Sequence, residues 1–209
     1  MSDTNKTKDT KNKSRIRNLA LIAMMAAVAT VLMLFEVPLP FLAPPFYELD
    51  FSEVPVLIGT FALGPIAGVT IELIKILMNF ILNGTITAGV GELGNFLIGC
   101  SFIVPAGLIY HMKKTKKHAL IGMIVGTVFM AAAGCFINAY LLLPAYSAGL
   151  GIPMETLVGM GTAINPAIDS VMTFVLLCVA PFNLLKGIVV SILTMLLYKR
   201  VSILIKAHH

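Results

Sequence analysis

Charged residues are scarce in this sequence. Asp, Glu, Lys and Arg make up only 12% of its 209 residues, whereas 58% are hydrophobic and the mean hydropathy is +0.94. A water-soluble domain is roughly 25% charged. The shortage of charge therefore excludes a water-soluble globule, and the length allows about six membrane spans of roughly 20 residues each.

The sequence also lacks the common catalytic and nucleotide-binding motifs. It contains no Gly-x-x-x-x-Gly-Lys-Ser/Thr phosphate loop, no His-Glu-x-x-His and no Gly-x-Ser-x-Gly. Its three cysteines, Cys100, Cys135 and Cys178, lie in apolar runs at no metal-ligand spacing. We therefore expect no enzyme activity, no cofactor and no metal site. The absence of an internal repeat also argues against an inverted-repeat secondary transporter.

The chain has a net charge of +5, and 13 of its 15 basic residues lie in three clusters, each beside an apolar run. The clustered basic residues are Lys6, Lys8, Lys11, Lys13, Arg15 and Arg17, then Lys113, Lys114, Lys116 and Lys117, and finally Lys199, Arg200 and Lys206. This distribution is typical of cytoplasmic anchors under the positive-inside rule and not of a nucleic-acid-binding surface.

The long uncharged runs do not alternate in polarity, so they predict helices. If all three basic clusters are cytoplasmic, an even number of crossings separates each pair. The sequence then predicts an all-α bundle of six transmembrane helices with structured outer loops and both termini inside. The expected spans are residues 18–35, about 52–64, 66–82, 93–110, 119–143 and a last helix ending near Tyr198.

Gly64-Pro65 marks the break between the second and third helices, because proline disrupts the preceding turn and glycine tolerates the bend. On the outer side we expect the loops 36–53 and 83–91 and a long segment 144–181. In that segment, residues 166–180 are too short to cross and predict an outer-face or re-entrant helix. The domains are then a basic tail (1–17), a membrane domain (18–205) and a short end (206–209), where His208 and His209 resemble an expression-tag remnant.

Ionisable and amide side chains at membrane depth are candidates for function. Lys186 and Asn183 lie three residues apart near the expected start of the last helix, so they share a face and can donate to one small molecule. The alternative is that Lys186 reaches out to the lipid headgroups.

A second pair, Glu92 and Asn95, opens the fourth helix, where the carboxylate alternatively complements the helix dipole. Asn138 stands in a long uncharged run and either binds a ligand or makes an interhelical hydrogen bond.

Other polar residues have structural explanations as well. Glu72, Lys75 and Asn79 form one stripe of the third helix, and an internal Glu72–Lys75 pair explains the first two. Asp50, Ser52 and Glu53 contact a ligand through the outer loop or belong to a solvated loop or helix cap.

Small residues on the first helix, including Ala23 and Ala27, form a surface that another helix can approach closely. The sequence leaves open whether that helix belongs to the bundle or to a partner.

Taken together, these residues resemble the riboflavin-specific S components of energy-coupling-factor (ECF) vitamin transporters. The resemblance covers about residues 18–203. It is carried by Leu49-Asp50-Phe51-Ser52 with Val54-Pro55, by Gly64-Pro65 with Glu72-Leu73-Ile74-Lys75, by Gly91-Glu92 with Asn95-Phe96, and by Pro181 through Gly187. One departure is Ile76, where the family commonly has asparagine after the lysine.

The resemblance implies a multi-pass protein of the bacterial cell membrane that captures riboflavin from outside. A transmembrane coupling protein and two cytoplasmic ATPases would supply the energy. It assigns Asn138, Asn183 and Lys186 to the polar edge of the flavin ring. Glu92 and Asn95 would serve the ribityl hydroxyls, the loop around Phe46, Tyr47, Leu49 and Asp50 would close over the ligand, and Ala23 and Ala27 would face the coupling protein.

An uncharged ligand with one apolar end needs an apolar slot and a few placed polar groups. Since a phosphorylated flavin would need more cations than Lys186, we expect riboflavin to bind more tightly than its phosphate. The alternatives are an S component for another vitamin and a membrane scaffold or assembly protein that transports nothing.

Overall fold

The computed structural model describes residues 3–85 and 87–206, and the side chains of residues 12–85 and 87–197; His208 and His209 lie outside these ranges. The first half of the chain contains α1 (Asp3–Met33), β1 (Val37–Pro38), β2 (Glu48–Leu49), α2 (Glu53–Leu63), α3 (Pro65–Asn83) and α4 (Val90–Lys113). The second half contains α5 (Lys116–Ile137), a π-helical turn (Asn138–Leu142), α6 (Leu143–Leu150), α7 (Met154–Thr162), α8 (Val171–Phe174), a second π-helical turn (Val175–Val179) and α9 (Ala180–Lys206).

The described chain is mostly helical, which confirms the expected all-α class. Five of its helical stretches are long and apolar enough to cross a membrane. They are Asn12–Met33, Pro65–Asn83, Val90–Lys113, Lys116–Leu150 and Val171–Leu197. The first is the end of α1, which is helical from Asp3 and so extends the expected start at residue 18 toward the N-terminus.

The predicted hairpin between the second and third helices is confirmed. Gly64 lies between them with φ of +107°, a backbone conformation that glycine adopts readily, and Pro65 starts α3, where its missing N–H is not needed. The 11 residues of α2 rise only about 16 Å. Residues 53–61 are all buried, as expected for a helix with an apolar surface on nearly every side. Helix α2 is therefore an interior helix.

Two expectations for the second half of the chain were wrong. Residues 166–180 do not form a separate outer-face helix, because from Val171 they belong to the same helical stretch as α9. Likewise, the fifth span continues past residue 143 to Leu150. Each continuation passes a proline, Pro144 or Pro181, that lies at one end of the segment 144–181, which we expected on the outer side.

A π-helical turn precedes each of these prolines and accounts for the continuation. The N–H of Leu143 bonds to the carbonyl of Asn138, and that of Ala180 to the carbonyl of Val175, both five residues back. Since proline lacks an N–H and crowds the preceding turn, a locally wider turn lets the helix continue. Lys186 consequently lies well inside its helix and not at the start.

Helices α4 and α5 pack very closely along one side. A Cβ atom on Gly122 or Gly126 would lie 2.6 Å from the carbonyl oxygen of Ala106 or Phe102, so glycine is required at both positions. The turn that joins the two helices carries Lys113, Lys114, Lys116 and Lys117. The first turns of α4 and the last turns of α5 meet at the opposite end of the bundle.

Candidate functional site

A cavity of about 350 Å³ lies at the end of the bundle away from the basic α4–α5 turn. Its walls come from α1, α3, α4, α9, the first π-helical turn, α6 and the loop between α1 and α2. Seven of the nine predicted binding residues line it, namely Phe46, Tyr47, Glu92, Asn95, Asn138, Asn183 and Lys186. Its volume and its mixture of aromatic and polar walls are typical of a small-molecule site.

Two buried asparagines form one wall, on either side of Gly134 of α5. The amide of Asn138 donates to the Gly134 carbonyl at 2.8 Å, and that of Asn183 donates to the Val179 carbonyl at 3.0 Å. A Cβ on Gly134 would lie 2.6 Å from the Asn183 amide nitrogen, so the glycine leaves room for that side chain. An amide has two donor hydrogens and an oxygen with two lone pairs. Each asparagine can therefore still bond to a ligand.

Lys186 is buried, with 6% of its surface exposed, which excludes the alternative that it reaches the headgroups. Its ammonium lies 2.8 Å from the carboxylate of Asp50, a residue of the α1–α2 loop that is also buried. Burial by itself would raise the pKa of Asp50, but the neighbouring ammonium outweighs burial and holds it below its ordinary value. The positive charge at the cavity is thus already neutralised.

The α1–α2 loop covers the cavity and is anchored at several points. Strands β1 and β2 pair antiparallel within it, and the Tyr47 hydroxyl donates to the side-chain oxygen of Asn138. Phe46 and Tyr47 both line the cavity, whereas Leu49 packs against the hydrophobic cluster around Phe174 and Phe182 and does not line it. Asp50 does not line the cavity either, but it pairs with Lys186, which does.

The first turn of α4 contributes a polar edge. Glu92 accepts hydrogen bonds from the hydroxyls of Thr85 and Thr87, both at 3.1 Å, and it lies where a carboxylate also complements the helix dipole. Asn95 lies one turn further on and lines the same cavity. The position of Glu92 therefore agrees both with a role in ligand binding and with a carboxylate that complements the helix dipole.

Sequence reasoning missed two acidic residues in the lining of the cavity, Glu36 and Glu48. Burial and a hydrogen bond with Glu48 raise the pKa of Glu36 from 4.5 to about 8, so Glu36 keeps its proton at neutral pH. The antiparallel pairing of β1 with β2 brings the two residues together. The loop was recognised from the sequence, but its register was not, and so this pair could not be found.

Of the remaining candidates, Asn79 lines the cavity, and the others lie away from its lining. Glu72 pairs with Lys75 as expected, but Glu53 pairs with the same lysine, so the solvated-loop explanation of Asp50 and Glu53 was wrong. Ser52 directly precedes α2, but its side chain makes no capping hydrogen bond; its N–H donates to the Asp50 carboxylate. On α1, Ala26 and Ala29 pack inside the bundle, whereas Ala23 and Ala27 are exposed on its outer surface.

The Asp50–Lys186 pair gives a first prediction. Lys186→Met leaves a carboxylate buried without a partner and should lower the free energy of unfolding by about 3–5 kcal/mol. The double variant Asp50→Asn/Lys186→Met removes both charges and should recover most of this loss. Thermal and denaturant unfolding in detergent measure both variants, and a double variant no more stable than Lys186→Met would contradict the pairing.

The Glu36–Glu48 pair gives a pH dependence. The folded protein holds a proton that the unfolded chain has released, so this contribution to stability is complete below pH 4.5 and is lost as the pH rises to about 8. Glu36→Gln cannot titrate and should flatten this part of the unfolding profile between those limits. The exposed Glu155 provides a matched control, Glu155→Gln, which should keep the wild-type slope.

Comparison with known proteins places this architecture in a family. A family model described as "ECF transporter, substrate-specific component" matches residues 17–198. A solved structure described as "Structure and mechanism of the S component of a bacterial ECF transporter" aligns with a TM-score of 0.70 and 37% identity, covering 90% of this chain and 96% of that one.

Curated relatives agree with the family model. The riboflavin transporter RibU of Staphylococcus aureus (strain TCH60) is 35% identical over 93% of this chain and 95% of its own length. The riboflavin transporter FmnP of Bacillus subtilis (strain 168) is 31% identical over 88% and 91%. These relatives are transporters, which confirms that the chain is not an enzyme and is a multi-pass protein of the bacterial cell membrane. The chain belongs to the substrate-specific components of ECF transporters.

Proposed function

We propose that this protein is a riboflavin-binding S component, which captures riboflavin outside the cell for ATP-driven uptake by partner subunits. The observation that carries the proposal is the composition of the cavity. Amides of Asn138 and Asn183 and the paired ammonium of Lys186 form a polar wall, and Phe46, Tyr47, Tyr146 and Phe182 provide apolar surface. The curated relatives with the same architecture are named riboflavin transporters.

A neutral flavin suits the charges around this cavity. Lys186 is already neutralised by Asp50, Glu36 holds a proton at neutral pH, and the other carboxyl groups in the lining are Glu48 and Glu92. Carboxylates accept hydrogen bonds from hydroxyls but repel a phosphate. Glu92 and Asn95 are thereby suited to the ribityl chain, and the asparagine wall to the hydrogen-bonding edge of the ring.

The proposed orientation in the membrane puts the cavity outside. The basic α4–α5 turn lies at the opposite end of the bundle, and positive loops remain in the cytoplasm. With the interior helix α2 counted beside the five long spans, both termini are cytoplasmic and the bundle has six helices. The α1–α2 loop then faces the medium from which the vitamin arrives.

Calorimetric titration and absorbance spectroscopy test the ligand. Riboflavin should bind more tightly than its 5′-phosphate, and protein purified from bacteria should carry flavin absorbance. Asn183→Ala and Asn138→Ala should each weaken riboflavin binding by about 1–3 kcal/mol, because each leaves a polar group of the ligand without its partner. Glu155→Gln is the control with unchanged affinity.

Other outcomes of the titration would overturn the assignment. Tighter binding of the phosphate, or unchanged affinity in both asparagine variants, would place the ligand or its contacts elsewhere. A colourless protein with saturable affinity for a different vitamin would assign another substrate. The absence of any saturable vitamin binding would favour a scaffold.

The exposed face of α1 around Ala23 and Ala27 is proposed to contact the transmembrane coupling protein, which works with two ATPases. Small side chains allow the close approach of a second helix. Ala23→Leu/Ala27→Leu should abolish co-purification with the coupling protein and riboflavin uptake by cells, while riboflavin affinity of the isolated protein stays unchanged. The matched control is Ala132→Leu at an exposed position of α5. Normal uptake by the double variant would exclude this face.

A further inference from the structure

A second group of buried charges lies outside the cavity lining, between α2 and α3. Lys75 lies 2.9 Å from a carboxylate oxygen of Glu53 and 2.8 Å from one of Glu72. The exposed fractions of the three side chains are 1%, 2% and 0%. We call these three residues the α2–α3 charge cluster.

The charges of the cluster do not balance when both carboxyls are ionised. Two carboxylates then share one ammonium and leave one negative charge in an interior away from water. Among the described side chains, the other buried basic residue is Lys186, which Asp50 already neutralises. A buried charge without a partner costs several kcal/mol. The ionised cluster therefore needs one additional positive charge.

Missing hydrogen bonds also indicate that the ionised cluster lacks one positive charge. Both carboxyl oxygens of Glu72 and Oε2 of Glu53 are buried and lack a hydrogen-bond donor; Lys75 approaches Oε1 of Glu72 without good hydrogen-bond geometry. A carboxylate only accepts hydrogen bonds, whereas a protonated carboxyl also donates one. A single proton would thus supply both the charge and a donor.

Close packing favours a proton over a metal ion. On the α4 side, Gly99 lies so near the cluster that an added Cβ would overlap Oε1 of Glu72 and would lie 3.0 Å from Oε1 of Glu53. The next residue, Cys100, contributes a thiol that is ordinarily neutral. Among the described residues, no group of three or more His, Cys, Asp or Glu side chains is arranged to hold a metal.

We propose that the α2–α3 charge cluster is a proton-binding site, in which Glu53 and Glu72 together hold one proton at neutral pH and the cluster is uncharged. The proposal does not depend on the identity of the transported ligand. It implies that the protein carries an exchangeable proton within the part of the bundle surrounded by lipid. Glu53 follows Asp50 by three residues, and Asn79, one turn beyond Lys75, lines the cavity. The proton consequently lies beside the cavity wall.

Infrared spectroscopy of the detergent-solubilised full chain at neutral pH detects protonated carboxyls by their carbonyl stretch, which is distinct from that of carboxylates. The reference is Glu36→Gln, since Glu36 contributes its own protonated carboxyl. We expect this reference to retain a band of one carboxyl per chain. Adding Glu72→Gln or Glu53→Gln should each remove the band, because the remaining carboxylate alone balances Lys75.

Lys75→Gln in the same reference should raise the band about twofold, because both carboxyls are then neutral. Glu155→Gln should leave it unchanged. Size-exclusion profiles and thermal unfolding establish that each variant is folded. If Lys75→Gln does not fold, the loss of the band in the two glutamate variants tests the proposal by itself. A reference without the band, a band that survives both glutamate variants, or a band that appears only after sodium ions are removed would overturn the proposal.

Discussion

The structure depends on a short segment, Asp50 to Glu53, whose two carboxylates bind lysines from two different helices. Asp50 pairs with Lys186 of α9, and Glu53 pairs with Lys75 of α3. Lysine is rarely found fully buried without a partner. The segment therefore neutralises two buried ammonium groups. It also holds the loop that covers the cavity in place at the start of α2.

The Asp50–Lys186 pair also determines whether Lys186 acts as a free cation or as a hydrogen-bond donor. A buried ammonium with no partner would attract anions, whereas a paired one acts as an oriented hydrogen-bond donor. Since Asp50 is connected directly to β2, loop position and lysine orientation depend on each other. The Asp50–Lys186 pair thus contributes both to the hydrogen-bonding groups of the cavity and to the position of the loop that covers it.

The parts of the fold that were predicted correctly rest on local signals. Gly64-Pro65 specifies a break by backbone geometry alone, and the basic residues of the α4–α5 turn mark the end of a hairpin. The lining residues Asn138, Asn183 and Glu92 were recognised because polar groups stand out in apolar helices. The ion-pair partners could not be found in this way: Asp50 and Lys186 are 136 residues apart, and Glu53 and Lys75 are 22 apart. The helix continuations past Pro144 and Pro181 were not predicted, because each depends on a π-helical turn that precedes the proline.

The two π-helical turns also make the cavity lining sensitive to the loss of a single residue. A π-helical turn holds one more residue than the α-helical turn it replaces, so losing that residue restores regular hydrogen bonding and rotates the following helix by about 100°. Such a deletion near Asn138 or ahead of Asn183 would present different side chains to the cavity without a new fold.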